Sequence, residues 1–209
     1  IVGGFGFLTD RFPEPKLNVH TIDTINKTTM FNGKVKIPLK PFPGVMGVAP
    51  DTEEMLSTIP PRANGGNMDD PSIVEGTTVY FPVFVKGALF SIGDAHAVQG
   101  LGEVCGTAIE APMTFVYRLR VLKNKPAIQE PQYETDDFYA VTGFGKTIDI
   151  ATKKAVNFMV DHLSENYDIS AEDAYMLCSL VGDLKIAEVV DVPNMLVTMH
   201  FPKSILDQL

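Results

Sequence analysis

Gly87–Glu110 reads GALFSIGDAHAVQGLGEVCGTAIE, and this stretch decides the fold class. A strand-like run, Ala88–Gly93, leads into Asp94, His96, Gln99, Glu103, Cys105 and Glu110, set among glycines. Glycine permits tight turns and close backbone approach, so the stretch reads as a strand, a tight polar turn and a return strand. Asp94 and His96 are two residues apart. If the strand continues, both project from one face and can ligate one cation. A carboxylate with an imidazole suits a divalent metal, zinc first and calcium second. Glu103, with Gly102 before it and Gly106 shortly after, can fold back toward them as a general acid or base, and His96 is the other catalytic candidate. Glu110 is either a further metal ligand or a paired carboxylate. Gln99 either donates to a substrate carbonyl or holds the turn. Cys105 is a rival nucleophile, but at the start of a half-buried strand its thiol would be inert. The bland alternative is a polar turn with His96 bonded to a backbone carbonyl.

The wider composition narrows the class. The chain has 209 residues, 45% of them hydrophobic and 21% charged, which is ordinary globular composition. The longest apolar run, Val79–Val85, is broken by Pro82 and is far short of the roughly 20 residues of a membrane helix. A net charge of −9 disfavours nucleic acid and anionic membranes as partners. Two cysteines, Cys105 and Cys178, make no disulfide framework and suggest free thiols in the cytoplasm. The opening IVGGFGF lacks a Met and a basic stretch, so it is no signal peptide and reads like the interior of a longer protein.

Composition shifts along the chain. Residues 1–126 carry 12 acidic and 12 basic side chains, against 14 and 5 in residues 127–209. The first part also holds 14 of 17 Gly and 12 of 15 Pro. The expected fold class is therefore β-rich α+β: a β-sandwich-like region over 1–126 bearing the candidate turn, then a smaller, acidic α+β region over 127–209. Lys123–Asp137 is the expected connection. Strands are expected at His20–Ile25, Gly33–Leu39, Thr77–Val85, Ala88–Gly93 and Thr114–Leu122. Four prolines make Ile37–Pro50 a loop or edge segment. Ala151, Ala155, Met159 and Leu163 form a stripe on a helix over Ile148–Glu165. Ser170 with Asp173 caps a second helix, Ala171–Val181, ending at Gly182. Strands follow at Leu184–Val190 and Met195–Phe201, the latter with Met195, Val197, Met199 and Phe201 on one face. Met68, Phe81, Phe84 and Phe90 read as core. His162 reads as solvated on a peripheral helix, and His20 and His200 have no motif around them. Asn67 and Asp69 in GGNMDD form a loop that either meets the site or makes an Asx turn.

The run GDAHAVQGLGEVCGTAIE resembles the signature of the acetamidase/formamidase family. PFPGVMGVAP at Pro41–Pro50, GGNMD at Gly65–Asp69 and YFPVFVKGALFSIGD at Tyr80–Asp94 are similar to that family in order and spacing. The resemblance is close over Phe5–Pro112 and looser to the C-terminus. It implies a β-rich fold and hydrolysis of short aliphatic amides, formamide and acetamide, to ammonia and a carboxylate. On it, Asp94, His96 and Glu103 carry function residue by residue, and Asn67 and Gln99 are expected to bind substrate. Leu101 departs from the pattern, which often has Asp there. Family members also carry a β-rich segment ahead of the point where this chain begins, and that segment is an expected partner of this chain; a homo-oligomer is expected as well. The rival function is a non-catalytic β-sandwich module that binds a structural cation or small ligand.

Overall fold

A computed structural model describes residues 1–123 and 125–209, so Asn124 of the expected connection lies outside the described residues. In chain order the strands are β1 (Ile22–Asp23), β2 (Thr28–Phe31), β3 (Val35–Pro38), β4 (Phe42–Gly47), β5 (Gly65–Asn67), β6 (Thr78–Tyr80), β7 (Ser91–Val98), β8 (Ile109–Glu110), β9 (Gln132–Glu134) and β10 (Phe138–Gly145). Helices α1 (Ile148–Asn166) and α2 (Ala171–Val181), strands β11 (Asp183–Glu188) and β12 (Met195–Pro202), and a short α3 (Lys203–Leu206) complete the chain.

The described strands form three antiparallel sheets. β1-β2-β3 is a small meander, β5-β4-β7-β8 carries the motif, and β11-β12-β10-β9-β6 is the widest. The two larger sheets stack, and the helices cover the other face of the wide one. Met46 and Met68 from the motif sheet pack against Tyr133, Ala140, Phe144 and Leu196 of the wide sheet. On its opposite face Val141, Val197, Met199 and Phe201 meet Ala151, Ala155, Met159 and Leu163 of α1. The period-two alternation of β12 therefore feeds two cores at once. This is a β-rich α+β architecture. β6, from the first compositional region, pairs with β9 of the second, so the change of composition at Pro126 falls within one shared sheet.

Most expected elements form with shifted bounds. α1 buries the anticipated stripe, and Ser170 caps α2 by accepting from the Asp173 N–H at 3.1 Å. Gly182 ends α2 in an extended conformation rather than the left-handed one expected of a helix-terminating glycine. A Cβ at that position would overlap Met199 Cε and lie 2.8 Å from the Cys178 carbonyl oxygen, so close packing requires the glycine.

Several expectations are corrected. Ile37–Pro50 is not merely loop or edge: Phe42–Gly47 is an interior strand paired with β7 along most of its length. β5 flanks only Val45–Gly47, so Pro43 sits where β4 has a neighbour on one side and its missing N–H leaves no ladder bond unmade. Thr114–Leu122 forms no strand among the described residues, and Val116 and Val121 are exposed. A strand needs an adjacent backbone, and alternation alone does not supply one. β10, the central strand of the wide sheet, shows no alternating pattern in the sequence because it is buried on both faces. Phe84 is exposed rather than core. α1 is not peripheral, and His162 is half-buried, stacked on the Tyr139 ring at 4.0 Å.

His200 lies buried between the stacked sheets. Burial, with the Lys185 ammonium beside it, pushes its pKa down to about 3, far below the usual imidazole value. The unfolded chain takes up this proton below about pH 6.5 and the folded chain does not. The imidazole's contribution to stability is therefore fully present above that pH and is lost as pH falls toward 3. Buried carboxyls with raised pKa values act in the opposite sense, so a difference measurement isolates it. Urea unfolding of wild type and His200→Gln is expected to show their stability gap narrowing by about 1.4 kcal/mol per pH unit between pH 6 and pH 4. A pH-independent gap would contradict this account.

Candidate active site

β7 (Ser91–Val98) carries the Asp94–His96 part of the motif. Its register against β4 sets His96 opposite Phe42, and its register against β8 sets His96 opposite Glu110. His96 is buried, and the ring of Phe42 meets it edge-on at 5.0 Å. Asp94, two residues earlier, reaches His96 Nε2 at 3.4 Å, and Glu110 reaches the same nitrogen at 3.1 Å. The two-residue spacing read in the sequence brings Asp94 beside His96, and the pairing of β7 with β8 brings Glu110 to the same point. Both carboxylates are exposed while the imidazole is not.

The other ring nitrogen is held from within. Gln99 Oε1 lies 2.8 Å from His96 Nδ1, and Gln99 Nε2 donates to the Asp69 carbonyl at 2.6 Å. The amide orientation makes Oε1 the acceptor, so His96 Nδ1 carries a proton and Nε2 faces the carboxylates. Gln99 therefore holds the turn and the imidazole, with both ends of its amide engaged.

Asp69 closes the site from the opposite side. Its carboxylate approaches His96 Nδ1 at 3.7 Å, and Glu103 completes a second cluster with these two residues. Asp69, Asp94 and Glu103 have φ of +43°, +53° and +44°. Side chains rarely adopt such conformations, which cost of order 1–3 kcal/mol each and persist only where the surroundings hold them. Backbone bonds do so here. Asp69 N–H donates to the Gly44 carbonyl, and Glu103 sits in a turn closed by Gly106 N–H at 2.7 Å. That turn is stitched to the end of β11: Gly102 N–H donates to the Ala187 carbonyl and Val189 N–H to the Gly102 carbonyl.

Glu188 and Asp191 are site residues that the sequence reading missed, for they stand in no motif and lie far along the chain. Glu188 is fully buried, and its Oε2 accepts from the N–H groups of Val190 and Asp191 at 2.9 Å each. This turn presents Asp191, which accepts from Asn67 Nδ2 at 2.6 Å. Asn67 thus reaches the site and is tied to Asp191. Asp69, on the loop expected either to meet the site or to make an Asx turn, lies at its centre.

Crowded carboxyls set the electrostatics. Burial, then the charge of Glu103, push the Asp69 pKa up to about 10. Burial, then the charge of Asp191, raise Glu103 to about 7, and burial raises Glu188 to about 8. Burial alone would lower His96, but bonds to Asp94 and Glu110 outweigh it and raise the imidazole to about 10. Acids near neutrality beside a cationic imidazole are arranged to pass protons.

A cleft of about 480 Å³ opens at Asp94 and Asn67, with Val45, Ile59 and Ile92 along its apolar wall. Cys105 lies elsewhere. It is exposed in a turn rather than starting a strand, its sulfur makes polar contacts with Thr107, and it borders a separate hollow under Phe5, Phe7 and Phe12. Among the described residues no base hydrogen-bonds to its sulfur.

A profile of the Acetamidase/Formamidase family matches residues 51–208. The formamidase of Methylophilus methylotrophus is 26% identical across 98% of this chain and 67% of that protein. The crystal structure of a predicted acetamidase/formamidase from Thermoanaerobacter tengcongensis superposes with a TM-score of 0.87 at 33% identity, covering 98% of this chain and 66% of that one. The acetamidase of Bacillus halodurans gives 0.84 at 28% identity, covering 99% of this chain and 68% of that one. The chain belongs to the acetamidase/formamidase family, as its motif implied, and spans about two thirds of the length of these relatives.

The site's compactness has one backbone condition. A Cβ on Gly44 would overlap Asp69 Oδ1 and stand 2.8 Å from His96 Cε1. Gly44→Ala is expected to cost about 1–3 kcal/mol in urea unfolding, as overpacking does. Gly93→Ala, in the facing strand with open space around it, is expected to stay within about 0.5 kcal/mol of wild type. Equal effects would mean that the two side chains do not press on Gly44.

Proposed function

We infer that this chain carries the active site of an amidohydrolase that cleaves formamide, acetamide or similar short amides to ammonia and a carboxylate. The observation that carries the reading is a buried Glu103, with a pKa near neutrality, beside a His96 whose outward nitrogen is shared with Asp94 and Glu110. An amide carbonyl is weakly electrophilic and its nitrogen leaves poorly, so hydrolysis needs polarisation at oxygen and a proton at nitrogen.

The donor set fits a divalent cation. His96 Nδ1 donates to Gln99, the bond that orients a metal-ligating imidazole, and two carboxylates stand within 3.4 Å of Nε2, whose proton an ion would displace. Asp94, His96 and Glu110 would hold the ion, zinc on this nitrogen-and-oxygen set with calcium as the alternative. When bound, it supplies Lewis acidity, polarising the carbonyl and lowering the pKa of water toward ~7. Glu103 accepts the proton of the attacking water as its oxygen bonds to the carbonyl carbon. Glu103 then returns that proton to nitrogen, the C–N bond breaks, and ammonia leaves. Asn67 orients the substrate in the cleft, whose apolar wall receives the acyl group.

We place the protein in the cytoplasm, where its two unpaired thiols stay reduced. No described helix is long and apolar enough to cross a membrane. We propose also that a further β-rich segment and a second copy of the protein pack against this chain. The exposed, unladdered Thr114–Leu122 and the greater length of the relatives support this. Residues 1–209 expressed alone are then expected to be poorly soluble or inactive beside the protein as isolated. A soluble, cooperatively folding and fully active product would oppose it.

The main test is ammonia release from acetamide and formamide by the native protein, lost on chelation and restored by zinc. Asp94→Asn and His96→Ala are expected to lower bound metal and turnover together while the fold survives. Glu103→Gln is expected to lose about 10²–10⁴-fold in rate. Cys105→Ala should keep substantial activity. A thioester trapped on Cys105 during turnover would overturn the water mechanism, and metal binding without ammonia release would favour the binding module.

A further inference from the structure

A buried chain of side chains outside the catalytic cluster runs from the wide sheet to the loop bearing Asp69. Lys185 Nζ, on β11, stands 3.2 Å from His200 Nδ1, on β12. An ammonium only donates, so Nδ1 accepts and the imidazole proton lies on Nε2. That nitrogen is 2.9 Å from Tyr133 Oη and 3.0 Å from Thr198 Oγ1. Tyr133, on β9, donates in turn to Asp70 Oδ2 at 2.5 Å. The other Asp70 oxygen accepts the Ser72 N–H at 2.9 Å. Every bond points the same way, from a cation to a carboxylate, and His200, Tyr133 and Asp70 are all buried.

The chain ends one peptide from the site. Asp69 holds a left-handed backbone conformation, and its carbonyl receives the Gln99 amide that orients His96. On its N-terminal side Asp69 is tied to Gly44 through its N–H. On its C-terminal side the tether is the Asp70 carboxylate on Tyr133. We propose that Tyr133 is a positioning residue: through Asp70, the Asp69 carbonyl and the Gln99 amide, its hydroxyl sets the orientation of the His96 imidazole. The catalytic consequence rests on the amidohydrolase reading, whereas the orientation of His96 is observable without it.

Tyr133→Phe removes one oxygen and keeps the ring that packs edge-on against Phe138 and His200. In the native protein it is expected to lower kcat for acetamide about 10–100-fold, the usual range for residues that orient ligands, with KM within about threefold. The His96 ring NMR resonances in nitrogen-labelled protein are expected to shift. Asp70→Asn, which keeps an oxygen for Ser72 and loses an acceptor for Tyr133, is expected to do the same and serves if Tyr133→Phe does not fold. Tyr139→Phe is the control. It deletes a hydroxyl that donates to Gln132 on the helix-covered side of the same sheet, and is expected to leave both readouts unchanged. The proposal is overturned if kcat stays within twofold and the His96 resonances do not move, or if Tyr139→Phe matches the losses. If wild type releases no ammonia, the amidohydrolase reading falls. The resonances then decide alone: a shift in Tyr133→Phe but not in Tyr139→Phe supports positioning, and no shift refutes it.

Discussion

The closeness of Asp69 and His96 across the bare backbone of Gly44 is the constraint on which the site depends. β4 must run beside β7 for His96 to be walled by Phe42, and only a glycine at position 44 leaves room for both side chains. Gln99 spans the two, an amide that accepts from one and donates to the backbone of the other. The turn Gly100–Gly106 can then fold Glu103 inward.

This concentration of charge is held against its own repulsion. Asp69, Glu103, Glu188 and Asp191 would not collect in a buried space unless partly protonated or compensated. Their raised pKa values express that cost. The protein meets it with directed donors: Asn67 for Asp191, the N–H groups of Val190 and Asp191 for Glu188, and the cationic His96 for the rest. Strained backbone at Asp69, Asp94 and Glu103 is the mark of the same arrangement. Local preference yields there to the geometry the side chains need.

The wide sheet supports the site as well as covering the core. One face receives α1 and α2; the other receives the motif sheet, and through Tyr133 and His200 it reaches the loop that carries Asp69. The end of β11 holds the Glu103 turn through Gly102, while Glu188 and Asp191 complete the acidic cluster. The acidic C-terminal residues therefore do more than face solvent.

The sequence by itself determined what depends on neighbours along the chain. The stripe of α1, the capped start of α2, the two-faced β12 and the Asp-x-His pair all follow from side-chain period and local hydrogen bonding, and each stands close to where it was read. The family was legible through the resemblance of four collinear stretches, the Gly93–Glu110 run first among them. Tertiary structure alone decided the rest. Pro43 argued against a strand, yet β4 is interior because its neighbour stops short of that residue. Thr114–Leu122 alternates as a strand should, yet no described strand pairs with it. Glu188 and Asp191 carry no local signature; they join the site only because β11 pairs with β12 and ends against Gly102. Pairing and burial are contacts between distant segments, and no period within one segment records which other segment will lie against it.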